Sequence, residues 1–198
     1  DELHASVTWG VAPGDFNLDG WDDLYFAAGN FQQGPAVPIG VQRNELYVNA
    51  GGGVMLDVSA ATGADLPADS KGVAVADFDG DGDLDAYVVN QAGRSVLLKN
   101  TTARKANHWL TIRLAGTGSN RNACGAVITA TLSGRISRSA APSRIRRVVS
   151  CGSGGSGSYS QRDAHMGLGE ATGTVDLSIW WPSGLTQTVS DVHIDQFI

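Results

Sequence analysis

The feature that most constrains this fold is an acidic phrase that occurs twice. Residues 77–85 read DFDGDGDLD, and residues 15–23 read DFNLDGWDD. Carboxylates at alternate positions repel one another unless a cation neutralises them, and calcium is a hard cation that takes oxygen ligands. Glycines between the carboxylates let the backbone curl so that alternate side chains converge. Two copies of such a loop predict two calcium sites.

Each loop offers ligands at positions 1, 3, 5 and 9, with a backbone carbonyl at position 7. In the downstream loop these residues are Asp77, Asp79, Asp81, Asp85 and, at position 7, Asp83. In the upstream loop they are Asp15, Asn17, Asp19, Asp23 and, at position 7, Trp21. Because Asn17 replaces one carboxylate, we expect weaker binding at the upstream loop.

The downstream loop resembles the first half of an EF-hand loop but departs from it at position 12. An EF-hand has a bidentate glutamate there, whereas this chain has Val88. The flanking residues also have strand character, so we predict a calcium-binding hairpin in which the ion is structural. The alternative for each loop is a solvated acidic turn without an ion.

The sequence around the loops also repeats. Residues 11–16 match residues 73–78, and each loop is followed by an apolar segment that ends at Asn49 or Asn100. Each copy reads strand, acidic turn, strand, turn, strand, which is the pattern of a β-propeller blade. The first copy is longer because of a Gly- and Pro-rich insertion within residues 29–42, a predicted surface loop. Two blades cannot close a ring, so either the chain is part of a longer propeller or another surface covers its open edges.

Composition and patterning predict an all-β fold with two domains. The chain has 26 glycines and two methionines, and residues 109–114, 126–132 and 175–181 have the pattern of strands. A polar linker at residues 101–107 separates them from the acidic loops. We predict a partial β-propeller of two calcium-loop blades over residues 1–103, followed by a small β-sandwich or β-barrel-like domain over residues 104–198.

The cysteines and the charge bear on where the protein works. Cys124 and Cys151 lack metal-binding spacing, which predicts one disulfide. A disulfide and calcium sites both favour an extracellular or cell-surface location. The net charge of −6 argues against nucleic-acid binding, and no apolar run is long enough to span a membrane. The chain begins without Met or a signal-peptide pattern, so we expect a mature or excised product.

Five motifs in the second half carry a family resemblance: NHWLTIRL at residues 107–114, GAVI at 125–128, SYSQ at 158–161, GLG at 167–169 and WPSG at 181–184. In this order they resemble an ASPIC/UnbV domain. The acidic repeats resemble the FG-GAP and VCBS repeats that accompany this domain in cartilage acidic protein and in many bacterial secreted proteins. The resemblance implies a calcium-stabilised extracellular protein with an adhesion, matrix or surface role, and it brings no catalytic residue. The propellers of that family are longer than two blades.

We therefore expect a structural or adhesion module and not an enzyme. Its partners would be further copies of itself, forming an oligomer or fibre through open blade edges, or another extracellular protein. One alternative is a carbohydrate-binding module that uses an exposed aromatic, Trp180 or Trp181, and an arginine cluster. The other is a non-catalytic accessory domain of a secreted enzyme.

Two groups of residues in the second half have a functional and a simpler interpretation. One is an arginine cluster that would bind acidic glycans or a neighbouring acidic face, or would form a solvated hairpin. Its members are Arg135, Arg138, Arg144, Arg146 and Arg147. The other is Asp163 with His165, which suggests acid–base chemistry. No nucleophile elbow accompanies this pair, so we favour a structural histidine.

Overall fold

The computed structural model describes residues 7–29, 42–91, 93–102, 106–118, 120–132, 142–152, 158 and 160–198. Its first half consists of β1 (Thr8–Gly14), β2 (Asp23–Ala28), β3 (Glu45–Asn49), β4 (Met55–Asp57), α1 (Ser59–Thr62), β5 (Ser70–Ala76), β6 (Asp85–Asn90) and β7 (Val96–Leu98). Its second half consists of β8 (His108–Ile112), β9 (Val127–Leu132), β10 (Arg144–Val148), β11 (Ala164–Gly169), β12 (Thr174–Trp180), β13 (Thr186–His193) and β14 (Gln196–Phe197). The described residues are nearly all β, as predicted.

The first half forms two antiparallel sheets that follow the predicted repeat. Strands β1-β2-β3-β4 make the first blade, and β5-β6-β7 make the second. The upstream acidic loop joins β1 to β2, and the downstream loop joins β5 to β6. The last strand of the first blade, β4, is short. It ends at Asp57, whose carboxylate accepts the Ser59 N–H at 2.9 Å and so turns the chain into α1.

The two blades pack face to face. Alternate residues of each strand point to one face of a sheet, which gives each blade an apolar side. Ala12, Tyr25, Ala27 and Leu46 of the first blade share one buried cluster with Val73, Val75, Ala86 and Val88 of the second. The first half therefore has its own core, built from the contact between the blades.

The second half forms a β-sandwich, hereafter the C-terminal unit (residues 106–198). One sheet has the order β10-β9-β12-β13 and the other β11-β8-β14, in which β14 runs parallel to β8. Side chains of both sheets enclose one core that includes Leu110, Ile128, Met166 and Leu177. The described strands form open sheets and no closed barrel, so the sandwich alternative is the one observed. The predicted disulfide joins Cys124 to Cys151 with a Cα–Cα distance of 5.5 Å.

Several predictions fall outside the described residues. These are the insertion at residues 30–41, the domain boundary at residues 103–104, Arg135 and Arg138, and the glycine-rich run at residues 153–157. Within the described part of the chain, no helix is long and apolar enough to cross a membrane.

Candidate metal centre

The downstream loop gathers its carboxylates around one point. Asp77, Asp79 and Asp85 each offer an oxygen, and these oxygens lie within 4.8 Å of one another. Asp77 also organises the turn, because its carboxylate accepts the N–H groups of Gly80 at 2.8 Å and Gly82 at 2.9 Å. Both glycines have positive φ (76° and 89°), which an L side chain rarely adopts. Three converging carboxylates supply the hard oxygen donors that calcium prefers, so these residues fit the ion.

A lysine contacts the same carboxylates. The Lys99 ammonium forms a close ion pair with Asp79 and lies 3.5 Å from an Asp81 carboxylate oxygen. The hydrogen bond from this ammonium lowers the pKa of Asp79. A calcium ion at this site would compete with Lys99 for these oxygens. Lys99 was not predicted from the sequence; it directly precedes Asn100, and the first repeat has the uncharged Val48 at the equivalent position.

The upstream loop buries its carboxylates more deeply. Asp15 is 1% exposed and Asp23 is fully buried. Desolvation raises the pKa of Asp15 to about 8 and that of Asp23 to about 7. Among the described residues, three carboxylate oxygens within 4.8 Å occur only in the downstream loop. The upstream carboxylates are therefore more deeply buried than those of the downstream loop, but their oxygens lie less close together.

The last aspartate of each loop ties the loop to the C-terminal end of the third strand of the first blade and to the chain just after the third strand of the second. Asp23 accepts the N–H of Phe16 and of Asn49, each at 2.9 Å. Asp85 makes the equivalent bonds with Phe78 at 3.2 Å and Asn100 at 2.8 Å. This explains why both apolar segments end at the same place. Any ion held by Asp23 or Asp85 would also fix the third strand.

The central positions of the two loops fold alike. Asp19 accepts the Trp21 N–H at 2.9 Å, and Asp81 accepts the Asp83 N–H at 3.0 Å. Asn17 donates its side-chain N–H to Asp19 at 3.0 Å. All ten predicted ligand positions thus lie in two equivalent turns.

The upstream loop is also held by the C-terminal unit, which sequence reasoning did not anticipate. The Gly169 N–H donates to the Leu18 carbonyl at 2.8 Å, and the Asn107 side chain donates to the Asn17 carbonyl at 2.8 Å. Leu18 is 1% exposed and has a φ of +61°, a strained conformation for leucine. A Cβ at Gly167 would lie 2.1 Å from an Asp15 oxygen and 2.5 Å from the Leu18 Cα. Only glycine at position 167 lets the two surfaces approach this closely.

Arg147 of the C-terminal unit places a positive charge beside the upstream loop. Its guanidinium lies 3.0 Å from an Asp22 oxygen and 3.9 Å from an Asp15 oxygen. Its Nε donates to the His165 carbonyl at 3.1 Å. The solvated hairpin expected for the arginine cluster is therefore wrong for Arg147, whose side chain is mostly buried in this contact.

The downstream loop meets the β11-β8-β14 sheet of the C-terminal unit. His165 is buried, and its Nε2 lies 2.9 Å from the Gly82 carbonyl oxygen. Its ring stacks on Trp109 with centroids 6.3 Å apart, and a Cβ at Gly82 would lie 2.2 Å from the Trp109 ring. Asp163 forms a bidentate ion pair with Arg113, with N···O distances of 2.7 and 2.8 Å. Asp163 and His165 thus have structural partners.

Comparison with known families agrees with this architecture. A model described as an FG-GAP-like repeat matches residues 15–88, and one described as ASPIC and UnbV matches residues 116–198. The chain combines an FG-GAP-like repeat with an ASPIC and UnbV domain. No curated protein matches the chain. The FG-GAP-like match spans both acidic loops and implies a propeller-like arrangement of the two blades.

The two matched domains are consistent with an extracellular or surface module. The Cys124–Cys151 disulfide agrees with this, because disulfides persist in oxidising compartments.

Proposed function

We propose that this chain is a non-enzymatic structural or adhesion module, extracellular or on the cell surface, that is stabilised by calcium at its acidic loops and associates with further copies of itself. The observation that carries this proposal is the position of the loops. Each loop hydrogen-bonds the end of the third strand of its own blade or the chain just after it, and also contacts the β8–β11 sheet of the C-terminal unit.

Calcium would act here by neutralising charge. Five aspartates lie within the nine residues of the downstream loop, and Asp77, Asp79 and Asp85 would hold the ion. Without a cation, their mutual repulsion opposes the closed turn. With one, the turn is fixed, and so is the Gly82 carbonyl that contacts His165. The same reasoning applies to the upstream loop, where Asp15 and Asp23 would hold the ion and the Leu18 carbonyl accepts the Gly169 N–H.

The proposal is tested by calcium binding and thermal unfolding measured together. Calorimetric titration of the chelator-treated chain should give two bound calcium ions, with the tighter site lost in Asp77→Asn. The unfolding temperature should rise with free calcium, because a ligand that binds only the folded state stabilises it. Asp191→Asn, an exposed acidic position outside both loops, is the matched control. No heat of binding, together with the same unfolding temperature in calcium and in chelator, would refute the proposal.

The absence of an enzymatic role is part of the proposal. It is supported by the contacts of the two residues that most suggested chemistry, since Asp163 pairs with Arg113 and His165 is buried against Trp109. Replacement of His165 with asparagine should therefore lower stability rather than abolish a reaction. A hydrolytic activity that is lost in this variant while its unfolding temperature is unchanged would contradict this.

One observation favours a carbohydrate-binding role as a second candidate. Trp180 is 47% exposed, whereas Trp181 packs on the core. Val127 of β9 lies between Trp180 and Val148 in one row across the sheet. Such an apolar row can stack against a sugar ring. Screening on a glycan array tests it: binding that Trp180→Ala removes would support this candidate, and no binding would exclude it for the glycans tried.

A further inference from the structure

The second blade has an exposed apolar face for which the first blade supplies a template. Aligning the two acidic loops pairs Ala12 with Ala74, Tyr25 with Tyr87 and Ala27 with Val89, and aligning Asn49 with Asn100 pairs Leu46 with Leu97. The strand register agrees. Tyr25 lies between Ala12 and Leu46 across β1-β2-β3, and Tyr87 lies between Ala74 and Leu97 across β5-β6-β7. We call Ala74, Tyr87, Val89 and Leu97 the open face.

The two equivalent faces differ in whether another blade covers them. In the first blade Tyr25 is 1% exposed because the second blade packs on it. In the open face Tyr87 is 40%, Val89 41% and Leu97 52% exposed. Clustered large apolar side chains on a surface mark sites of interaction. The open face is a copy of a blade–blade interface that lacks its second half.

The missing half has a counterpart on the same chain. The residues of the second blade that share the buried cluster with Tyr25 include Val73, Val75, Ala86 and Val88. Their equivalents in the first blade are Val11, Pro13, Leu24 and Phe26, which we call the opposite face. None of these four is buried, and Phe26 is joined there by Tyr47, whose ring meets it edge-on with centroids 5.8 Å apart. One chain therefore carries both sides of the interface that its own two blades make.

We propose that the open face of one copy binds the opposite face of a second copy, in the way the second blade packs on the first. This rests on the self-association included in the proposed function and specifies its surfaces. The eight residues that define the two faces are uncharged. Glu45 is the cross-strand neighbour of Phe26, and its carboxylate accepts a hydrogen bond from the Tyr47 hydroxyl at 3.2 Å, so it would enter the contact with a hydrogen-bond partner. The contact is heterologous, because it joins two different surfaces, and each added copy presents a further open face.

Sedimentation velocity of the calcium-loaded chain over a range of concentrations tests the proposal. Wild type should form oligomers that grow with concentration. Tyr87→Arg should be monomeric, and so should Phe26→Arg, since each removes one of the two faces. Leu97→Arg is a second variant of the open face in case Tyr87→Arg does not fold. Leu185→Arg, at an exposed apolar position of the C-terminal unit, is the matched control and should associate like wild type.

Mixing the variants distinguishes this arrangement from a symmetric one. Tyr87→Arg keeps its opposite face and Phe26→Arg keeps its open face, so an equimolar mixture should form a dimer and stop there. A monomeric mixture, a monomeric wild type, or oligomers unchanged by Tyr87→Arg and Leu97→Arg would overturn the proposal. Calorimetry on the same samples separates it from the calcium proposal. If the face variants bind calcium like wild type but do not associate, the assigned faces are supported. If wild type associates but binds no calcium, only the proposed role of calcium is refuted.

Discussion

Replacing Gly167 with alanine would test whether the upstream loop depends on the C-terminal unit. The added Cβ would lie 2.1 Å from the Asp15 carboxylate and 2.5 Å from the Leu18 Cα, and the second contact involves backbone that cannot rotate away. Forcing one extra methyl group into a packed contact typically costs about 1–3 kcal/mol. For a chain of this size each kcal/mol lowers the unfolding temperature by about 2–4 °C, so we expect a decrease of roughly 2–12 °C.

The same substitution should also change calcium binding in a selective way. Because the methyl group displaces Asp15, the affinity of the upstream site should fall while that of the downstream site is unchanged. Thermal unfolding followed by circular dichroism and calorimetric calcium titration measure the two effects. Gly118→Ala is the control, since a Cβ there meets no atom within 4 Å. If Gly167→Ala melts and binds calcium like Gly118→Ala, the proposed coupling between the loop and the C-terminal unit is wrong.

Four further changes have defined outcomes. Lys99→Met should tighten calcium binding at the downstream loop in calorimetry, because the ammonium no longer competes for Asp79; unchanged affinity would show that Lys99 does not occupy the site. In chelator, the stabilisation that protonated Asp15 contributes is fully present below its unfolded pKa of 3.8 and is lost as the pH rises through about 8. The unfolding temperature should therefore fall over that window, and Asp15→Asn should reduce the fall; a fall of the same size in the variant would contradict this. Calcium affinity at the upstream loop should rise with pH over the same window, since the ion requires the ionised carboxylate, and titration at two pH values checks it. Replacing Cys124 and Cys151 with serine removes a disulfide that closes a loop over a sequence separation of 27. The free energy of unfolding should fall by roughly 3–4 kcal/mol on the chain-entropy relation; an unchanged unfolding temperature would show that the disulfide does not stabilise the fold.

Local patterns were sufficient to predict the two blades. The spacing of acidic residues and glycines located both turns, and alternation located the strands beside them. The repeat also predicted that Asn49 and Asn100 occupy equivalent places, which their bonds to Asp23 and Asp85 confirm. These features follow from residues close together in the chain, where short-range rules of turn and strand formation apply.

The contacts between the units could not be predicted in the same way. Leu18 lies within the upstream acidic loop but is not one of its predicted ligands. Its left-handed backbone and its burial follow from packing against Gly167 and Gly169. The sequence predicted Arg147 as one member of a surface cluster, yet from β10 it contacts Asp22, which is far away in the sequence. Such long-range pairs depend on how the two halves approach each other, which no local pattern encodes.

Amide hydrogen exchange at Gly169 tests the central claim most directly. This N–H donates to the Leu18 carbonyl of the upstream loop and so reports the contact between the loop and the C-terminal unit. The Val149 N–H, which donates to Ala126 within the C-terminal unit at 2.8 Å, is the internal reference. If calcium at the acidic loops holds the two halves together, adding calcium to the chelator-treated chain should slow exchange at Gly169 by a larger factor than at Val149. Equal exchange at Gly169 with and without calcium would contradict the account.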